Sequence, residues 1–253
     1  MTKRFENKIV VVTGATSGIG WETAVSFARE GATVIGTGRN QDRLDALSQE
    51  IDLALTVDVT SDAEVQMLAD TVRDRYGRLD VLVNNAGIGL FKDWADTTHA
   101  EFENVLAVNL VGVVRVCQAL LPLVLESDAG NVTMVSSVAG KRGYAKHGAY
   151  CASKHGLIGY SSALRADLKE AGVTVSVVCP PAVDTPFFEN AGYMTFHEDH
   201  VGLTLATAPQ IAEELLDAVA NNEHERIITT RAKVLYAMSL VSPKLLEFVQ
   251  RFK

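Results

Sequence analysis

Apolar residues fall into two alternating kinds of run along this chain. Short, strongly apolar and largely β-branched stretches occupy 9–12, 33–37, 53–59, 80–84, 131–135 and 173–179, flanked by Gly, Pro, Asn, Asp or Ser. Such runs predict strands buried on both faces. Between them, apolar positions recur at helical spacing over 18–30, 41–50, 62–76, much of 98–125, and 150–171, with Gly31, Gly77 and Gly172 placed as helix stops. Buried strands alternating with amphipathic helices predict an α/β fold, in which parallel strands are joined by right-handed crossovers into a doubly wound sheet with helices on both faces. No repeat, low-complexity tract or linker divides the chain, so residues 1–253 read as one domain.

Composition narrows the function classes. Hydrophobic residues make up 47% of the chain, enough for a substantial core. A net charge of −8 argues against a nucleic-acid partner, whose affinity rests on clustered Lys and Arg. Residues 1–8 are too polar for a signal peptide, and no apolar run is expected to approach the roughly 20 residues of a membrane span. Cys117, Cys151 and Cys179 are odd in number and form no C-x-x-C pair, which predicts free thiols and a cytoplasmic setting. His197 and His200 flank Glu198-Asp199 without a third ligand motif, so a solvated loop is expected and no metal.

The first strand runs into Thr13-Gly14-Ala15-Thr16-Ser17-Gly18-Ile19-Gly20 and then a helix. Gly14 permits a tight turn, Gly18 a close approach of backbone to a diphosphate, and Gly20 the packing of the helix on the sheet. The helix start adds N–H groups and a positive dipole end. Taken alone, the run also reads as an ordinary strand–helix turn. The second strand ends Gly36-Thr37-Gly38-Arg39, where an acidic residue would bind a ribose 2′-hydroxyl. Arg39 can instead fork onto a 2′-phosphate, favouring NADP(H) over NAD(H); its other reading is a solvent-facing charge. Tyr150 and Lys154 share one face of a helix, and a nearby ammonium lowers the pKa of a phenol towards that of an acid/base catalyst. Nucleotide cradle and acid/base together point to hydride transfer.

In this order the motifs resemble the short-chain dehydrogenase/reductase family over residues 8–185, implying a single-domain Rossmann-like fold. The cofactor turn matches residues 13–20, Asn84-Asn85-Ala86-Gly87 matches the motif after the fourth strand, and Tyr150-x-x-x-Lys154 matches the catalytic pair. The resemblance further implies Ser137 as the active-site serine and Asn109 as the residue anchoring a water in a proton relay. It places Asp58 and Val59 at the adenine, Asn85 and Gly87 along the cofactor, and Val183 and Thr185 at the nicotinamide amide and a cofactor oxygen. Where the family usually has Pro-Gly, this chain has Pro180-Pro181, which alters the local backbone constraint. The implied activity is reduction of a carbonyl, or the reverse oxidation of an alcohol. A catalytically silent NADP-binding regulator is the alternative, and an epimerase is disfavoured because the chain lacks the longer substrate domain.

Specificity is expected from loops at the carboxyl ends of the strands. Three are apolar: Ile88-Gly89-Leu90-Phe91 with Trp94; 138–144; and a substrate loop over 186–200 containing Phe187, Phe188, Tyr193, Met194 and Phe196. These suit an apolar carbonyl or alcohol, or alternatively pack beneath the loop or at a subunit contact. His147 reads equally as a residue of the site mouth or an exposed loop histidine, and Cys151 as a small core residue. The tail, 231–253, carries Leu235, Met238, Leu245, Leu246, Phe248 and Phe252. It reads as a subunit contact or pocket lid rather than a membrane-surface helix. The resemblance implies a homodimer or homotetramer pairing through segments around 109–125 and 150–171.

Overall fold

Val10, Val11 and Val12 are fully buried because both faces of their strand are covered. The computed structural model describes residues 3–193 and 205–241. It pairs β1 (Ile9–Thr13) with β2 (Thr33–Gly38) on one side and β4 (Val81–Asn84) on the other, both in parallel. With β3 (Leu53–Thr56), β5 (Asn131–Val135), β6 (Thr174–Cys179) and β9 (Glu225–Ile227), they form a seven-stranded sheet in the order β3-β2-β1-β4-β5-β6-β9. The chain winds outwards from β1 to β3, then crosses back to β4. The crevice outside the carboxyl ends of β1 and β4 is therefore the topological switch point, where ligands bind in such sheets.

Helices cover both faces. On one, α1 (Gly18–Arg29) and α8 (Ala208–Ala220) pack Phe27, Val25, Leu215 and Leu216 onto Val10, Val12 and Val34. On the other, α3 (Asp62–Tyr76), α5 (Gly112–Val124) and α6 (Gly148–Asp167) bury Leu68, Val72, Val116, Leu120, Leu157 and Leu164 against Val11, Ile35 and Leu82. Of the shorter elements, α2 (Gln41–Leu47) follows β2, α4 (His99–Leu106) leads towards α5, and α7 (Phe187–Asn190) follows a two-residue strand, β7 (Val183–Asp184). That strand pairs with β8 (Ala206–Thr207), and α9 (Thr230–Val241) follows β9.

Several boundaries differ from expectation. The third strand stops at Thr56 rather than 59: Val57 still donates to the Gly38 carbonyl, but the Asp58 carboxylate then accepts from the Thr60 N–H and hydroxyl and turns the chain. The helix expected over 41–50 ends at Leu47, after which Gln49 and Glu50 close tighter turns onto Ala46 and Leu47. The sixth helix begins at Gly148 and ends at Asp167, followed by a 3₁₀ turn at Lys169–Ala171 that Gly172 closes with φ 71°. Asp80 precedes its strand as a buried cap, accepting from the Ile9 N–H at 2.8 Å.

The helical run His99–Val124 corrects the expectation about membrane spans, since by length and composition it is apolar enough to cross a bilayer. Here Val113, Val116, Leu120 and Val124 bury one face of it in the core instead. The run is interrupted by a π-helical turn at Ala107–Val111, the geometry that often marks a functional position in a helix.

Candidate active site

Every catalytic and cofactor residue predicted from the sequence except Asn109 lines one cleft of about 760 Å³ at the carboxyl ends of the strands. Its floor at one end is the turn after β1. Gly14 (φ 67°) and Gly18 (φ 54°) sit in the left-handed region, and a Cβ on Gly14 would lie 2.7 Å from the Ala86 Cα. A Cβ on Gly20 would collide with the Gly14 carbonyl oxygen and the Asn85 amide. Ser17 caps α1 with no side-chain hydrogen bond to its first turn, leaving N–H groups there for a ligand. A turn that admits no side chain and opens onto free helix-terminal donors fits a dinucleotide diphosphate. Thr16, Ser17 and Ile19 line the same end of the cleft.

Asn85 holds this turn from behind. Its Nδ2 donates to the carbonyls of Thr13 (3.0 Å) and Gly14 (3.1 Å), while the Thr13 hydroxyl accepts the Asn85 and Ala86 N–H groups, both at 3.1 Å. Thr13, which the sequence places in the cofactor turn without a role of its own, thus ties β1 to β4 where the cradle forms. Arg39 is 66% exposed and makes a loose 3.4 Å ion pair with Asp58. Arg43 was also missed: its Nε donates to the Thr16 carbonyl at 3.0 Å and its guanidinium stacks on Trp21. Val59 and Gly87 continue the wall. Beyond Pro180-Pro181, where no peptide bond is cis, the Pro180 carbonyl accepts the Val138 N–H at 3.0 Å. Thr185 packs against Gly18 across the cleft, and Val183 is buried beside it.

The Ser137 hydroxyl neighbours the Tyr150 phenol and favours its ionised form, and the Ser137 oxygen accepts the Ala139 N–H at 3.1 Å. Lys154 is 4% exposed; its Nζ lies 5.7 Å from the Tyr150 ring centroid and donates to the Val135 carbonyl at 2.8 Å. The predicted lowering of the phenol pKa is not what this arrangement gives. Burial pushes the phenol up to about 12, against a smaller lowering by Ser137. The same desolvation brings Lys154 down to about 8, since no carboxylate compensates its charge.

Asn109 also departs from expectation. Its side chain is fully buried outside the cleft lining. Oδ1 accepts the Ile88 N–H at 2.8 Å, while Nδ2 donates to the Ile88 carbonyl at 2.9 Å and to the Ser153 hydroxyl at 3.1 Å. With its amide spent on these bonds, the side chain clamps the loop after β4 to α6 and has no remaining donor aimed at a relay water.

Next to Tyr150 the cleft is aromatic. Phe91 stacks on Phe188 (5.3 Å) and meets His147 (4.6 Å), Tyr193 (5.6 Å) and Tyr150 (5.9 Å); Phe187 closes the other side of Tyr150 at 5.7 Å. His147 therefore belongs to the mouth. Trp94, at 88% exposure, does not line the cleft, and neither does Leu90. Met194, Phe196, His197, His200 and the tail beyond 241 lie outside the described residues. The near part of that tail contributes Tyr236, which lines the cleft with the Lys141 ammonium over its ring.

A turn built for a diphosphate and a Ser–Tyr–Lys group in one cleft define a dinucleotide-dependent oxidoreductase site. The sequence model of the short chain dehydrogenase family matches residues 8–194, and the chain belongs to that family. It is 38% identical over 195 residues to a 3beta-hydroxysteroid dehydrogenase of Mediterraneibacter gnavus, covering 74% of this chain and 70% of that one. It is 33% identical over 269 residues to the probable oxidoreductase EphD of Mycobacterium tuberculosis, spanning 98% of this chain but only 45% of that longer protein. Among solved structures, a short chain dehydrogenase from Shigella flexneri complexed with NADP has a TM-score of 0.79 at 28% identity, over 90% of this chain and 97% of that one. A short chain dehydrogenase/reductase from Burkholderia phymatum in complex with NAD shares the fold at a TM-score of 0.87 and 24% identity, over 96% of each chain. The chain is an oxidoreductase of this family, and its relatives support a nicotinamide cofactor.

Proposed function

We propose that the chain is an NADP(H)-dependent oxidoreductase acting on a largely apolar carbonyl/alcohol pair, with Tyr150 as the acid/base. The observation carrying this reading is the Tyr150–Ser137 hydroxyl pair, set in one cleft with the glycine turn and with Lys154 one helical turn on. The bound dinucleotide would supply the hydride in reduction and accept it in oxidation. In the reducing direction the Ser137 hydroxyl orients the carbonyl oxygen, and the phenol, protonated at neutral pH, gives its proton to the alkoxide as the carbonyl becomes an alcohol. Lys154 would hold the nicotinamide ribose when the dinucleotide is bound, and its charge would favour proton loss from Tyr150. Asn109 acts through the Ile88 loop rather than on the substrate.

Arg39 supports the NADP(H) preference: no acidic residue directly follows β2, and its pairing with Asp58 is loose enough to yield to a phosphate. The aromatic lining supports an apolar substrate, as does the hydroxysteroid activity for which one relative is named. We assign the enzyme to the cytoplasm as one domain over 1–253 and as a homodimer or homotetramer. Exposed Val111 and Leu125, on the segment around 109–125, support the pairing. Tyr236 in the cleft favours the lid role for the tail. Aliphatic, aromatic and steroid-like carbonyls screened by NADPH absorbance test the reading. Turnover of one class supports it; failure of every carbonyl and alcohol with NADPH still bound moves the chain to the silent regulator.

A further inference from the structure

Arg142 is a charge in the cleft that the reaction above does not use. Its guanidinium stacks on the Tyr144 ring at 4.2 Å, which fixes its plane. Its Nη1 is buried with no hydrogen-bond partner. The other cations of the cleft are answered: Lys141 pairs with Glu225, Arg39 with Asp58, and Lys154 with the Val135 carbonyl. Among the described residues, the only carboxylate lining the cleft is Asp58, at the nucleotide end. Among the described residues, the substrate end of the cleft is therefore cationic, although the chain carries a net charge of −8.

That Nη1 is sealed by the protein, but Arg142 lines the cleft and pairs with no carboxylate among the described residues, and its guanidinium is a planar fork, the geometry that matches a carboxylate. The guanidinium also lies close to Cys151, the neighbour of Tyr150: burial raises that thiol, and the Arg142 charge acts in the opposite sense. We infer that the substrate is amphipathic: its carbonyl meets Tyr150, its apolar body lies across Phe91 and Phe188, and a carboxylate at its far end pairs with Arg142. A doubly charged phosphate ester fits less well, because Lys141 is already neutralised by Glu225. The inference rests on the oxidoreductase reading for its reacting end, but the anion site stands on geometry alone.

Binding and turnover are therefore tested separately on the full chain with NADP(H) bound. By calorimetric titration, phenylbutanoate should bind at least tenfold more tightly than its methyl ester, and Arg142→Gln should remove that difference while Arg142→Lys keeps part of it. In steady-state reduction, benzoylpropionate should exceed its methyl ester in kcat/KM by about ten- to hundredfold, the range of one charge-assisted hydrogen bond. Arg142→Gln should lower kcat/KM for the acid far more than for the ester, mainly through KM. Equal binding of acid and ester, or equal losses for both in the variant, would overturn the anion site. Selective acid binding without turnover of either compound would leave the site standing and count against the reaction.

Discussion

Replacing Asn109 separates a clamp from a proton relay. In Asn109→Leu the side chain keeps its size but strands the Ile88 N–H and the Ile88 carbonyl, which face a fully buried amide, while the Ser153 hydroxyl keeps its bond to the Tyr150 carbonyl. Each buried polar group left unsatisfied costs about 1–3 kcal/mol, and partial relaxation of the loop brings the total to about 3 kcal/mol. For a chain of this size that lowers Tm by about 6–12 °C. Asn109→Asp should show the same loss: its carboxylate still accepts from Ile88 N–H but confronts the Ile88 carbonyl where Nδ2 had donated. Because Ile88 and Gly87 lie in the cleft wall, NADPH affinity should weaken along with kcat. Thermal melts with and without NADPH, combined with steady-state kinetics, provide the assay. If Asn109→Leu kept its Tm and NADPH affinity while kcat alone collapsed, the side chain would act on the chemistry, and the clamp would be wrong.

Arg39→Asp should weaken NADPH binding by about 2–4 kcal/mol while sparing NADH, since it removes a charge-assisted contact and adds repulsion; equal effects in paired titrations would make Arg39 a surface charge. With Lys154 held down at about 8 and Tyr150 up at about 12, carbonyl reduction should be level below about pH 8 and decline above it, as the ammonium loses its proton while the phenol keeps its own. A profile flat to pH 10 would contradict that order. Asp80 is raised by burial, but hydrogen bonds from Ile9 N–H and the Ser127 hydroxyl, with the charges of Lys8 and Arg78, hold it below the usual carboxylate range. Its stabilisation is therefore full above the unfolded pKa and is lost as pH falls through the lower folded value. Asp80→Ala leaves the Ile9 N–H and the Ser127 hydroxyl without their acceptor and should cost about 1–3 kcal/mol at neutral pH; by chemical denaturation the deficit should shrink in acid.

The elements were legible in the sequence because their causes are local. Runs such as Val10-Val11-Val12 declare a strand buried on both faces, and Gly77 and Gly172 end helices because both occupy the left-handed region. The glycine turn and the Tyr150–Lys154 spacing were readable for the same reason: a positive φ and a helical period leave marks in neighbouring residues. What escaped depends on partners distant in the chain. Thr13 looks like any strand-end hydroxyl until Asn85 and Ala86 arrive to donate to it. Asn109 gives no sign in the sequence that Ile88 and Ser153 occupy its side-chain amide. The phenol pKa was misjudged because spacing reveals the cation's proximity but not the burial that outweighs it. Trp94 reads with the apolar stretch 88–91, but it sits between Asp93 and Ala95-Asp96 and is exposed to solvent.

The central claim is that Tyr150 supplies the proton while the dinucleotide site stands apart from it. Single-turnover reduction of a carbonyl identified by the screen, with Tyr150→Phe and NADPH both saturating, tests it most directly, because neither binding nor product release enters the observed rate. The phenylalanine ring can keep its packing against Phe91 and Phe187, so NADPH affinity should be close to that of the wild type. The rate should fall by at least a hundredfold, about 2.7 kcal/mol of lost transition-state stabilisation. Retention of more than about a tenth of the wild-type rate, a loss below about 1.4 kcal/mol, would take the acid/base role away from Tyr150.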